Sequence, residues 1–157
     1  MEGLLDSLAA WPGALWLRGS GTAYLFLNAA HILGLGLLLG AIVPLDLRLA
    51  GLWRNVPLPV LLPFSSRAAA AGLGLAVATG LWLFTVRPHE YLDNAAFQFK
   101  LGLLLLAVGN IAWQHASPAL ARSLRDGTLS TGLRLRAAAS TLLWCAVLLA
   151  GRWIGFL

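Results

Sequence analysis

Residues 22–49, TAYLFLNAAHILGLGLLLGAIVPLDLRL, decide how the rest of the chain is read. From Thr22 to Leu45 there is no formal charge. An α-helix needs ~20 apolar residues to cross a bilayer core about 30 Å thick, and this run exceeds that. Inside it sit one histidine, His31, and one amide, Asn28. Such groups are costly in hydrocarbon, so each needs a partner or a task.

The first span is about 22–49, with Pro44 as a point of bending near its far end. Asp46 and Arg48 follow as an expected terminal ion pair. Gly51 to Pro63 reads as a loop because of Pro57, Pro59 and Pro63. A second span runs over about 65–86, where Ala68, Gly72, Ala76 and Gly80 recur every four residues. That small-residue stripe permits close helix approach. The polar connection 87–94, RPHEYLDN, ends in Asn94, placed to cap a third span over about 95–117. A loop holding Arg122, Arg125, Asp126 and Gly127 leads to a fourth span, about 131–155.

Upstream, residues 3–18 are apolar but broken at Pro12, with Trp11 and Trp16 beside the break. They read as a short helix lying on the membrane surface. Glu2 and Asp6 stand where a signal peptide needs positive charge, so the segment is expected to be retained. The expected fold is all-α: an integral membrane, up-down four-helix bundle with a short N-terminal interfacial helix, one domain over 1–157.

Composition agrees. Charged residues make up 11% of the chain, against about 25% in soluble domains. The net charge of +5 comes from arginines at the ends of apolar runs, with no basic patch interleaved with aromatics, so nucleic acid is not an expected partner. The arginines set topology instead. The 48–67 and 122–136 segments are arginine-rich and read as cytoplasmic, placing both termini outside. Cys145 is the only cysteine, which excludes a disulfide framework and a thiolate metal cluster. The glycines of GLGLLLG lie mid-helix and form no dinucleotide fingerprint.

Depth along each span orders the polar residues. His31 falls roughly 14 Å below the outer boundary and Lys100 roughly 8 Å, at ~1.5 Å per residue. A lysine stem covers most of that difference, so the two can serve one site in the outer half. Asn28, three residues before His31, shares its helix face. Lys100, Ala107, Asn110 and Gln114 form one inward stripe on the third span, while Thr141, Cys145 and Arg152 align on the fourth. Arg152, near the outer end, can meet a carboxylate or propionate. His115 lies at the cytoplasmic edge and His89 in an outer loop, so an intramolecular bis-histidine haem is not supported. The plainer alternatives are a core His31 bonded to Asn28 or a backbone carbonyl, and a Lys100 that reaches the headgroups.

The segments NAAHILGLGLLLGAIVPLDLRLAG and NAAFQFKLGLLLLAVGNIAWQH resemble the small membrane proteins of the copper-resistance-D-like group, which includes the HemJ-type protoporphyrinogen oxidase. The likeness covers roughly 20–117 and rests on a first-helix histidine, its Pro-Leu-Asp-Leu-Arg end and a Lys-Leu opening the third helix. A bacterial branch of about this length is nearest. The resemblance implies a four-helix membrane fold that can hold haem b, with His31 as metal ligand and Lys100 as a charge beside it. Asn28 and Arg152 complete the expected cofactor-binding set; no catalytic residue is assigned. Copper transfers poorly, because the only methionine is the first residue. The expected activity is electron transfer, or oxidation of a lipophilic substrate such as quinol or porphyrinogen, in the bacterial inner membrane. The lipid bilayer, a second copy of the chain in a homo-oligomer, and a quinone or redox protein are the expected partners. A cofactor-free oligomeric subunit is the alternative, and a small ion or proton transporter a weaker one.

Overall fold

In the computed structural model, residues 2–156 are described. Two short helices, α1 (Glu2–Ala9) and α2 (Pro12–Gly19), precede the long α3 (Gly21–Ala50) and α4 (Leu58–Val86). Then come α5 (Pro88–Asp93), α6 (Ala95–His115), α7 (Pro118–Asp126), α8 (Thr131–Trp153) and a closing 3₁₀ turn, Ile154–Phe156. The helices α3, α4, α6 and α8, with α8 continued by the 3₁₀ turn, are each long and apolar enough to span a membrane. The chain is a multi-pass, all-helical membrane protein whose four spans pack as a bundle. Below, the end carrying α1, α2 and α5 is the near end, and the end carrying α7 is the far end.

Local chemistry explains the boundaries. The Ser20, Asn94 and Ser130 side chains accept from the backbone N–H groups of Ala23, Phe97 and Leu133, capping α3, α6 and α8. Gly51, at φ 113°, closes α3 in the left-handed conformation that glycine tolerates best.

Several expected boundaries move. The second span begins at Leu58, not near 65, so Pro63 lies inside α4. The apolar run outweighs one missing N–H, a loss that neighbouring helices make tolerable in membranes. The polar connection 87–94 and the loop after Pro118 are mostly helical, each started by a proline in its first turn. The surface segment is two helices divided at Pro12, and it docks on the bundle. Arg18 donates to the carbonyls of Ala9 (2.8 Å) and Val86 (2.9 Å). Trp82 donates to the Gly13 carbonyl, and its ring packs 5.8 Å from Trp11 and 6.1 Å from Trp16.

Lipid tails are as apolar as leucine, so close packing, not exclusion from water, holds membrane helices together. The tightest seam is α3 on α4. A Cβ added to Gly72 would lie 2.5 Å from the Leu38 nitrogen, and one on Gly34 2.7 Å from the Ala76 nitrogen. The expected stripe of α4 is thus realised, with Gly34 as its partner. Next, α3 packs on α8 and α8 on α6. Leu38, Ile42, Ala69, Ala107, Trp144 and Val147 bring all four spans into one core. Between α4 and α6 the contact is made by side chains: Phe84 stacks on Phe97 at 5.7 Å, and Ser66 meets His115 at 3.4 Å.

Candidate functional site

His31 sits on the α3 face turned toward α4. Its Nδ1 lies 2.9 Å from the Thr79 hydroxyl. That hydroxyl already donates into its own helix, to the carbonyls of Leu75 (2.6 Å) and Ala76 (3.3 Å). A hydroxyl has one proton, so toward His31 it can only accept. His31 therefore carries its proton on Nδ1, and Nε2 keeps a free lone pair. Gly80 makes room: a Cβ there would stand 3.0 Å from His31 Cε1.

Lys100, on α6, belongs to the same neighbourhood, close enough for its charge to act on the imidazole. Its stem rests on α8, with Cε and Nζ each 3.5 Å from where a Gly151 Cβ would be. No carboxylate pairs with it among the described residues. His31 thus lies at the α3–α4 seam with Thr79 and Gly80, and Lys100 at the α6–α8 seam with Gly151.

Two expected members do not join. Asn28 shares the general face of His31, yet its side chain is exposed and makes no hydrogen bond to the ring. Three residues along a helix leave a side chain about 60° round from His31, and that turns Asn28 outward, while Leu27 and Ala23 on the other side of His31 stay packed against α2 and α4. Arg152 is exposed, its guanidinium carbon 4.8 Å over the Phe156 ring. Cys145 is exposed as well. Of the plain alternatives for His31, the Asn28 bond is absent, while a backbone partner is present: Nδ1 faces the Thr79 hydroxyl and the Ala76 backbone. Thr79 is the functional neighbour that sequence reading missed. The visible signal was its place one residue before Gly80, at the end of the small-residue stripe.

The other histidines have separate roles. His115 is exposed at the far end; its Nδ1 donates to the Ile111 carbonyl (3.0 Å) and Nε2 faces Ser66. His89 Nε2 meets Asp6 at 3.0 Å, tying α5 to α1. At the near end an open cleft of about 930 Å³ lies among the helix ends, lined in part by Arg18, Tyr24, Arg87, Tyr91 and Asn94. Burial raises the Tyr91 phenol above its ordinary value, with the nearby Tyr24 adding to the shift.

The expected Asp46–Arg48 pair is absent. Residues two apart on a helix point to opposite sides. Arg48 instead donates to the carbonyls of Val56 (2.8 Å) and Arg54 (3.3 Å), closing the 51–57 loop. Asp46 turns into the bundle and is 2% exposed. The inward stripe of α6 is as expected: Ala107 and Gln114 are buried, Lys100 and Asn110 half-buried.

The fold and this polar centre define a class: a small multi-pass helical membrane protein with an imidazole and an ammonium group inside the bundle. More particularly, the chain belongs to the family described as "Family of unknown function (DUF6644)", whose model matches residues 14–157. No curated protein and no solved structure matches it.

Proposed function

We propose that this protein is a membrane-embedded haem b protein, related to the copper-resistance-D-like and HemJ-type group. In this reading it transfers electrons to or from a lipophilic reductant such as a quinol or a porphyrinogen. The observation that carries the reading is the 2.9 Å contact of His31 Nδ1 with the Thr79 hydroxyl, which assigns the ring proton to Nδ1. A metal-binding histidine characteristically donates its other ring N–H to a neighbour, and here Thr79 is that acceptor. Nε2 is left as the ligand atom.

What supports the group is donor chemistry: a half-buried imidazole and a half-buried ammonium in the same half of the bundle. His31 would hold the iron, and Lys100, without a carboxylate partner, would neutralise a propionate. When bound, haem supplies one-electron chemistry at a potential tuned by its axial ligand and surroundings. The chain's own part is positional. Thr79 fixes the ring plane of His31, Gly80 lets that ring lie against α4, and Gly151 gives the Lys100 stem a track along α8. The near-end cleft offers a bulky molecule a way to the bundle's mouth. Arginine placement supports a cytoplasmic far end and an external near end in a bacterial inner membrane.

The test is an absorption spectrum of protein expressed with haem supplied, recorded with and without dithionite. A Soret band that sharpens on reduction is expected. His31→Ala should abolish it, Thr79→Val should weaken retention and shift the band, and His115→Ala should leave it intact. A colourless wild-type protein ends the proposal.

A homo-oligomer is supported by a separate observation. Ala29, Gly36 and Gly40 form an outward stripe on α3, and a Cβ on either glycine would meet nothing within 4 Å. Small residues at that spacing suit helix pairing between copies. In the cofactor-free alternative, this face would be the working part. Chemical cross-linking in liposomes should then capture a dimer that Gly36→Leu removes.

A further inference from the structure

We infer that Asp46 is a proton-binding site inside the far half of the bundle, exchanging with the far-end surface through a one-water cavity beside His115. This is independent of the haem reading. Asp46 lies one turn before the end of α3, 2% exposed, and its Oδ2 has no hydrogen-bond partner. Across from it is the Ser140 hydroxyl of α8, 1% exposed, whose one neighbouring partner is the Asp46 carboxyl itself. The Gln114 Oε1 of α6, in a side chain 5% exposed, is unpartnered too. Asn110 completes the ring; its amide nitrogen donates to the Arg136 carbonyl, 3.0 Å away. These four side chains share a cavity with room for the centre of one water, about 10 Å³.

The charge has to be settled locally. Among the described residues no lysine, arginine or histidine nitrogen comes within 4.0 Å of the carboxylate. The nearest arginines, Arg48, Arg134 and Arg136, each keep one buried nitrogen unpartnered, yet none pairs with the carboxylate. On α3, Arg48 closes the 51–57 loop. On α8, Arg136 donates to the Ser117 hydroxyl (2.8 Å) and lies 5.1 Å over Trp113, while Arg134 packs against Gly51. On α6, His115 is the one titratable group of the cavity wall besides Asp46. From α4 and α7 the wall receives only Leu62 and Leu120. A bare carboxylate without counter-charge is not tolerated in such surroundings; it takes a proton and becomes neutral.

The same wall provides the route. His115 is exposed at the far end and borders the cavity. Its Nδ1 proton is held by the Ile111 carbonyl, so Nε2 is the basic atom. A proton from the aqueous phase reaches Nε2 beside Ser66; a turn of the exposed ring carries it to the cavity water, which passes a proton to Asp46, and only N–H and O–H bonds form and break. Ser140 and Gln114 orient that water. Buried acids joined to surface histidines by water are how membrane proteins move protons.

Infrared spectroscopy of the full chain in an ester-free detergent tests this. The other five Asp and Glu residues are all exposed, so a protonated-carboxyl band at neutral pH belongs to Asp46. The band is expected in the wild type, shifted in D2O and lost in Asp46→Asn. His115→Ala should keep the band but slow its deuterium shift several-fold. A wild type lacking the band overturns the proposal, whether or not Asp46→Asn folds. So does a thermal stability that rises with Na+ over choline at constant ionic strength, which assigns the site to a metal cation. A deuterium shift unchanged in His115→Ala refutes the route.

Discussion

The two halves of the bundle treat polar groups in opposite ways. In the near half His31 and Lys100 are half-buried, and a cleft of about 930 Å³, lined by neither of them, opens among the helix ends. In the far half Asp46, Gln114 and Ser140 are sealed behind Leu45, Leu49, Leu58, Leu120 and Leu133, around space for one water. The near half places its basic groups on helix seams apart from the open cleft. The far half gathers acceptor oxygens around one small cavity. Within four spans, polar groups are thus either half-buried at a seam or enclosed with almost no space.

Substitutions can break or sharpen this contrast. His31→Ala has the largest expected effect, complete loss of haem retention, whereas Asp46→Asn should leave the absorption spectrum unchanged; a spectrum altered equally by both would erase the distinction between halves. Gly72→Ala strikes the seam common to both. One methyl set 2.5 Å from the backbone of α3 forces the helices apart. Overpacking against backbone should cost about 3 kcal/mol, read as unfolding in graded denaturing detergent.

Arg18→Ala should matter only at the near end. It removes two charge-assisted hydrogen bonds, worth about 1–3 kcal/mol locally, so amide exchange should rise in α1 and α2 and not in α8. Tyr91 gives a smaller, pH-dependent signal. Its folded-state value is raised, so its contribution is whole below the ordinary phenol value of about 10 and is lost as pH climbs through the folded one. An alkaline absorbance titration should show a late-ionising tyrosine that Tyr91→Phe removes. The smallest effect belongs to Glu90→Gln. The Arg87–Glu90 pair, 3.2 Å apart, is 63% and 68% exposed, and the melting temperature should not move measurably.

Much of the fold could be read in advance because membrane spans announce themselves by length and apolarity. The α3 run, the cap at Asn94, the packing stripe of α4 and the inward face of α6 all follow from composition and helical spacing. Where local patterns compete, reading failed. Three prolines suggested a loop to Pro63, yet the helix begins at Leu58 because the apolar run continues through them. Asp46 and Arg48 look like a pair in sequence, but helix geometry sends them to opposite sides. The site was half visible. His31 and Lys100 stand out by type and depth, whereas Thr79 matters only because α3 and α4 nearly touch. Asn28 failed because residues three apart share a face only to within about 60°, and the α4 seam runs on the other side of His31, through Leu27 and Ala23.

The close approach at Gly34 and Gly72 also bears on motion. With backbone against backbone, α3 and α4 cannot slide or separate without losing their whole contact, so they move as one hairpin. The α4–α6 seam, joined through the Phe84–Phe97 stack and the Ser66–His115 contact, hangs on side-chain rotamers, so the bundle is a backbone-locked hairpin to which α6 is fastened by side chains.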